Sequence, residues 1–224
     1  MNTLSIKPSA LDITLKITFA VILIYLGYKA LNYGIQGLGY FKNNPNTVTH
    51  PFVLLTHIGT GFIALVLGPL QFFKGLRNRF VKLHRLMGKT YLLAILLSGT
   101  FGLGIGINKL FFLQQLVFGS GIIVLALAWL FTGFTAYWFI RDGQVKKHQE
   151  WMIRNYVLTF AFVTYRIGLE WLMNLGFSFE ETGIMAWLCW VPQLMVVDYW
   201  LQLRNQKLET TDSYAKIKAY SNQI

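Results

Sequence analysis

The sequence predicts an all-α integral membrane bundle of six transmembrane helices with both termini in the cytoplasm, and three observations carry that expectation. The 224-residue chain is 54% hydrophobic and 13% charged, with a mean hydropathy of +0.47, whereas soluble domains carry about 25% charged residues. Several stretches approach or exceed the roughly 18 largely uncharged residues that cross a bilayer as a helix. Basic residues collect in alternate connections between those stretches, which is the bias that orients membrane helices.

The six segments run Ile13–Tyr33, Phe52–Phe73, Met87–Ile107, Leu116–Ile140, Trp151–Met173 and Ile184–Leu203. In the first, Lys16 and Lys29 bracket a short uncharged core and snorkel toward the headgroups. No small-residue cleavage site follows its apolar run, which therefore reads as a retained anchor. The second puts His57 on one face with Gly61, Ala64, Gly68 and Gln71, a seam that something approaches closely. That partner is a neighbouring helix, with the imidazole bonded across the interface, or a flat cofactor whose metal the histidine ligates while Gly61 leaves room for the ring. An ionisable group inside a span marks a functional site by default.

The third segment carries "GTFGLGIG", with Gly99, Gly102, Gly104 and Gly106. No strand precedes it, so close helix packing through small residues explains it better than a phosphate loop does. Gly119 and Gly121 in the fourth read the same way. In the fifth, His148, Asn155, Thr159, Phe162 and Arg166 keep to one helical face when the helix begins slightly before Trp151. Such a polar stripe faces protein or water. Arg166 and Glu170, four apart, suit a helical ion pair, or Arg166 binds an acidic group or a quinone-like carbonyl. The sixth is interrupted midway by Pro192–Gln193, and Asp198 reads as an interfacial charge. Residues 1–205 thus form a single domain, and the polar stretch 206–224 a cytoplasmic tail, helical or loosely ordered.

Of 20 basic residues, 16 fall on one side when counted by connection, which places that side in the cytoplasm. The formal charge of +11 is spread over these connections, so it argues for membrane orientation and against nucleic acid. Cys189, the single cysteine, gives no internal disulfide and no zinc spacing. The tryptophans, Trp129 among them, read as an aromatic belt near the span ends. No G-x-S-x-G elbow or Walker loop occurs, and the residues assign no enzyme class.

"VKLHRLMGKTY" (Val81 to Tyr91) sets His84 at the cytoplasmic lip, with Gly88 on its face and Tyr91 two turns along. His148 lies at the same depth on the fifth segment. "HIGTGFIALVLGP" (His57 to Pro69), "PLQFFKGLRNRFVKLHRLMGKTY" (Pro69 to Tyr91) and "HQEWMIRNYVLTFAFVTYRIGLEW" (His148 to Trp171) together resemble the bacterial membrane family known as domain of unknown function 2306. The likeness covers about Phe52 to Leu203 and implies architecture rather than activity. A looser resemblance links the chain to the cytochrome b561 type of helical bundle, in which histidines on neighbouring spans hold haem b.

Two readings stay open on these residues. The first is a redox carrier of the inner membrane. One haem b would sit between the metal ligands His84 and His148, while His57, Arg166 and Glu170 line an outer pocket for a quinone or other substrate. The second is a non-enzymatic transporter or lipid-binding bundle whose basic lip and polar stripe handle a lipid headgroup or small anion. A di-histidine metal site with Glu150 or Asp142 is a third option, although it lacks the regular spacing of a zinc helix.

Overall fold

The computed structural model describes residues 51–178 and 180–221, together with Val21, Tyr25, Tyr28 and Asn32. The expected first segment, Ile13–Tyr33, otherwise lies outside the described residues. Every described element is helical: α1 (Pro51–Gln71), α2 (Lys74–Arg79), α3 (Val81–Ile107), a π turn (Asn108–Phe112), α4 (Leu116–Arg141), α5 (Val145–Asn174), a 3-10 turn (Glu181–Ile184), α6 (Met185–Leu188) and α7 (Val191–Ser221).

Four helical stretches are long and apolar enough to cross a membrane: Phe52–Gln71, Val81–Phe112, Leu116–Arg141 and Glu181–Thr211. Helix α5, at 30 residues, is about 45 Å long at 1.5 Å per residue, but it carries Arg154, Arg166 and Glu170 and is less apolar. Short connections force successive helices to run antiparallel as neighbours, so α1 packs on α3, α3 on α4 and α4 on α5. The core between them holds Tyr91, Ile95, Trp129, Met152 and Leu158. Leu93, Leu96, Phe131, Phe134 and Trp138 point outward and are exposed, as expected where the solvent is hydrocarbon and backbone groups are satisfied inside each helix.

Three boundaries differ from the sequence expectation. Helix α3 begins at Val81 and α5 at Val145, so His84 and His148 stand on helices and not in the connections before them. The sixth segment is not one helix kinked at its middle, because a turn at Cys189 and Trp190 separates α6 from α7. Pro192 occupies the second residue of α7, where its missing N–H costs nothing. Gln193 Nε2 donates to the Cys189 carbonyl and to Thr164 Oγ1, each at 2.6 Å, and ties this turn to α5. Helix α7 then continues without a break through the polar stretch to Ser221.

Small residues set the interhelical distances. Gly99 faces the Leu130 side chain, Gly106 faces Ile123 and Gly121 faces Ala186, in keeping with the packing role expected of them, whereas Gly104, expected to act alike, is exposed and has nothing within 4 Å of its Cβ position. Pro69 lies inside α1 and removes the N–H that would bond the Leu65 carbonyl four residues earlier. Tyr156 on α5 donates its hydroxyl to that carbonyl at 3.2 Å. Tyr156→Phe is therefore expected to cost about 1 kcal/mol and to lower the melting midpoint of the detergent-purified protein by about 2–4 °C. An unchanged midpoint would show that the Leu65 carbonyl needs no donor from α5.

Candidate functional site

The start of α3 and the start of α5 lie at one end of the bundle, here called the basic rim because Arg77, Arg79, Lys82 and Arg85 fall there. His84 and His148 lie within electrostatic reach of each other. Nδ1 of His148 is 2.8 Å from the Ala136 carbonyl on α4. A carbonyl only accepts, so Nδ1 carries the proton and the lone pair of Nε2 is left available. That is the hydrogen bond by which a ligating imidazole is usually oriented. Nδ1 of His84 is buried with no partner among the described residues.

The acids considered beside these histidines are engaged elsewhere. Glu150 pairs with Arg204 on α7 at 3.2 Å, and Asp142 accepts from Gln144. Among the described residues no group of three or more His, Cys, Asp and Glu side chains is placed to hold a metal ion. Asp198, expected as an interfacial charge, pairs with Arg154 at 2.6 Å.

Toward the other end, a cavity of about 150 Å³ lies between α1, α3, α4 and α5, walled by His57, Ser98, Trp129, Phe162, Tyr165 and Arg166 among others. His57 is held by α3. Its Nδ1 is 2.8 Å from the Ser98 carbonyl, Ser98 Oγ donates to the His57 carbonyl at 2.8 Å, and a Cβ on Gly102 would stand 3.0 Å from the imidazole. Phe162 of α5 lies against the ring at 5.1 Å between centroids. Packing across a helix interface thus accounts for Nδ1 of His57, and the same proton leaves Nε2 as an acceptor. Gly61 is filled by Ser98 and Phe162, 3.1 and 3.4 Å from its Cβ position, so it serves helix approach and leaves no gap for a ring.

Arg166 stacks over Tyr165, 5.8 Å from its centroid, and acts electrostatically on His57. Arg166 and Glu170 are both half-buried and neither is without a partner. Only Arg166 of the two belongs to the cavity wall.

Tyr91 and Asn155, expected at a binding site, lie between the two ends in a fully paired polar core. Tyr91 donates to Asn155 Oδ1 at 2.8 Å and lies 3.0 Å from Thr159 Oγ1. Asn155 Nδ2 donates to the Trp129 carbonyl and to Thr132 Oγ1, both at 2.8 Å. Trp129 Nε1 donates to Thr159 at 2.9 Å. Trp129 is 4% exposed and is therefore a core residue, not part of an interfacial belt. Its place near the middle of its span is the signal that separates it from Trp138, Trp171 and Trp200, which are exposed. Gly88 faces Gln71, whose amide oxygen is 3.4 Å from the Gly88 Cβ position. Ser98 is the site residue that sequence reasoning missed, since a serine does not break the pattern of its span.

Fold and site together define a helical membrane protein with a polar interior. The chain belongs to the family described as predicted membrane protein (DUF2306), whose model matches residues 54–201. No curated protein and no solved structure matches the chain.

Proposed function

We propose that the chain is a six-span protein of the bacterial inner membrane, with both termini cytoplasmic, that works as a quinone-linked redox carrier. The observation that carries this reading is the cavity of about 150 Å³ with an imidazole and a guanidinium on its wall. An apolar cavity of that size accepts a benzene-sized ring. A quinone ring brings two carbonyl oxygens that accept hydrogen bonds, and Arg166 is a donor that never loses its charge. On two-electron, two-proton reduction each carbonyl becomes a hydroxyl, and the Nε2 lone pair of His57 is an acceptor for one of them. The pocket thus supplies a partner for both states of the ring.

The electron partner in this reading is a haem b held by His84 and His148 at the basic rim. The orientation of His148 through Ala136 and the closeness of His84 support it. A bound haem would supply one-electron chemistry at its iron, and the protein would tune it through ligands and burial. The polar core of Tyr91, Asn155 and Thr159 keeps α3, α4 and α5 in fixed register between the two ends.

The reading is tested with one purified preparation. Protein from haem-replete cells should show a Soret band that shifts on reduction, and His84→Ala or His148→Ala should abolish it. His57→Leu and Arg166→Gln should keep the band but slow its reduction by a short-chain quinol by about tenfold or more, the value of a hydrogen bond to a charged group. A colourless preparation removes the haem, and wild-type reduction rates in both cavity variants remove the quinone.

A further inference from the structure

Among the described residues Nδ1 of His84 and Nε2 of Gln71 are buried nitrogen atoms without a hydrogen-bond partner, as is Nε of Arg204, whose guanidinium is already paired with Glu150 through its terminal nitrogen. Gln71 is 7% exposed, and its amide rests against Gly88, one helical turn from His84, or about 6 Å along α3. The two nitrogens therefore come from α1 and α3 onto one face of the same seam. Buried donors are paired as a rule, and an exception calls for a reason. Arg77 on α2 and Arg85 on α3 act electrostatically on His84. The nearby acids are spoken for, Glu150 by Arg204 and Asp198 by Arg154.

We infer that this rim binds a phosphate-type oxyanion, which takes one hydrogen bond from Gln71 Nε2 and one from His84 Nδ1 while Arg77 and Arg85 balance its charge. Donors fixed in a partly desolvated site and guanidinium groups around them are the chemistry that holds phosphate oxygens. Charge-assisted bonds of this kind are the strong ones, and water competes poorly where the donor is buried. Two sources carry such a group to this level of the bundle, the headgroup of an anionic phospholipid and a soluble phosphate. The inference does not rest on the redox reading, because it uses Nδ1 of His84 and not the Nε2 that would face an iron.

The test uses the full chain in a neutral detergent, with the variants Gln71→Leu and Arg77→Gln. Phosphatidylglycerol and phosphatidylcholine are offered separately and retained lipid is read by native mass spectrometry. Melting midpoints are measured in sodium phosphate and in sodium chloride at equal ionic strength. A lipid source predicts about tenfold more phosphatidylglycerol than phosphatidylcholine on the wild type, a preference that both variants lose. A soluble source predicts a midpoint raised by phosphate over chloride in the wild type and in neither variant. The inference is overturned when neither phosphate source binds, or when the variants bind as the wild type does. Gln71→Leu that melts higher than the wild type with binding unchanged would show that the amide is only an unpaired core group.

Discussion

Asn155→Ala is expected to cause a large loss of stability in this protein. Asn155 is fully buried and joins three helices: it accepts from Tyr91 of α3 and donates to the Trp129 carbonyl and Thr132 of α4. Alanine leaves each of these partners without its bond. Interhelical hydrogen bonds in membrane bundles are worth about 0.6–2 kcal/mol each, so three amount to about 2–6 kcal/mol. The removed side chain also leaves a cavity, which adds to the loss. The measurement is the melting midpoint and the monodisperse fraction in detergent. A drop of less than about 2 °C would mean that Tyr91 and Trp129 find other partners when the amide is gone.

Asn155→Asp separates the hydrogen bonds from the shape. The carboxylate accepts from Tyr91 as the amide oxygen does, but it has no proton for the Trp129 carbonyl or Thr132. It also places a charge deep in the bundle, with no cation among the bonded partners of Asn155. The expected order of stability is wild type, then Asn155→Ala, with Asn155→Asp lowest, because an uncompensated buried charge costs more than a buried gap.

The positions of four spans were legible in the sequence because bilayer thickness dictates the length of an apolar run; the expected fifth segment is a helix too charged to be counted with them, and the first lies largely outside the described residues. The helix starts were not legible. Lys82, His84 and Arg85 before Met87, and Lys146, Lys147 and His148 before Trp151, look like connections on hydropathy alone, yet they belong to helices α3 and α5. At the rim the closeness of His84 and His148 could be read from counting along two helices. So could the common level of His57 and Arg166, which line one cavity. What could not be read is the partner of each polar group. The face shared by His148, Asn155 and Thr159 is the same whether it meets a ligand or other side chains. Here Tyr91, Trp129 and Thr132, drawn from two other helices, satisfy Asn155 and Thr159. Periodicity reports which way a residue points and is silent on what lies opposite.

Gly68→Ala is the other large effect, and it acts through a single methyl group. A Cβ at Gly68 would overlap the ring of Tyr156 on α5 and stand 3.3 Å from Tyr91 on α3. The Tyr156 ring cannot simply swing away, since its hydroxyl is bonded to the Leu65 carbonyl that Pro69 leaves open. Overpacking a close contact costs about 1–3 kcal/mol, and displacing Tyr156 forfeits about 1 kcal/mol more from its hydrogen bond. Gly68→Ala should therefore melt well below the wild type, by more than Tyr156→Phe does. Tyr156→Ala removes the obstructing ring, so the double variant Gly68→Ala with Tyr156→Ala should be less unstable than the sum of the two singles. Residues in direct contact show coupling of about 0.5–3 kcal/mol in such a cycle, and additive losses would mean that the two positions do not touch. The pair also links packing to function, because α1 carries His57 and α5 carries Arg166. Pushing α1 from α5 at Gly68 strains the next contact along the same seam, where Gly61 meets Phe162, and Phe162 is part of the cavity wall. A variant that folds yet holds the helices apart should then lose the ring binding proposed for the cavity, while the oxyanion binding inferred at the basic rim is unchanged.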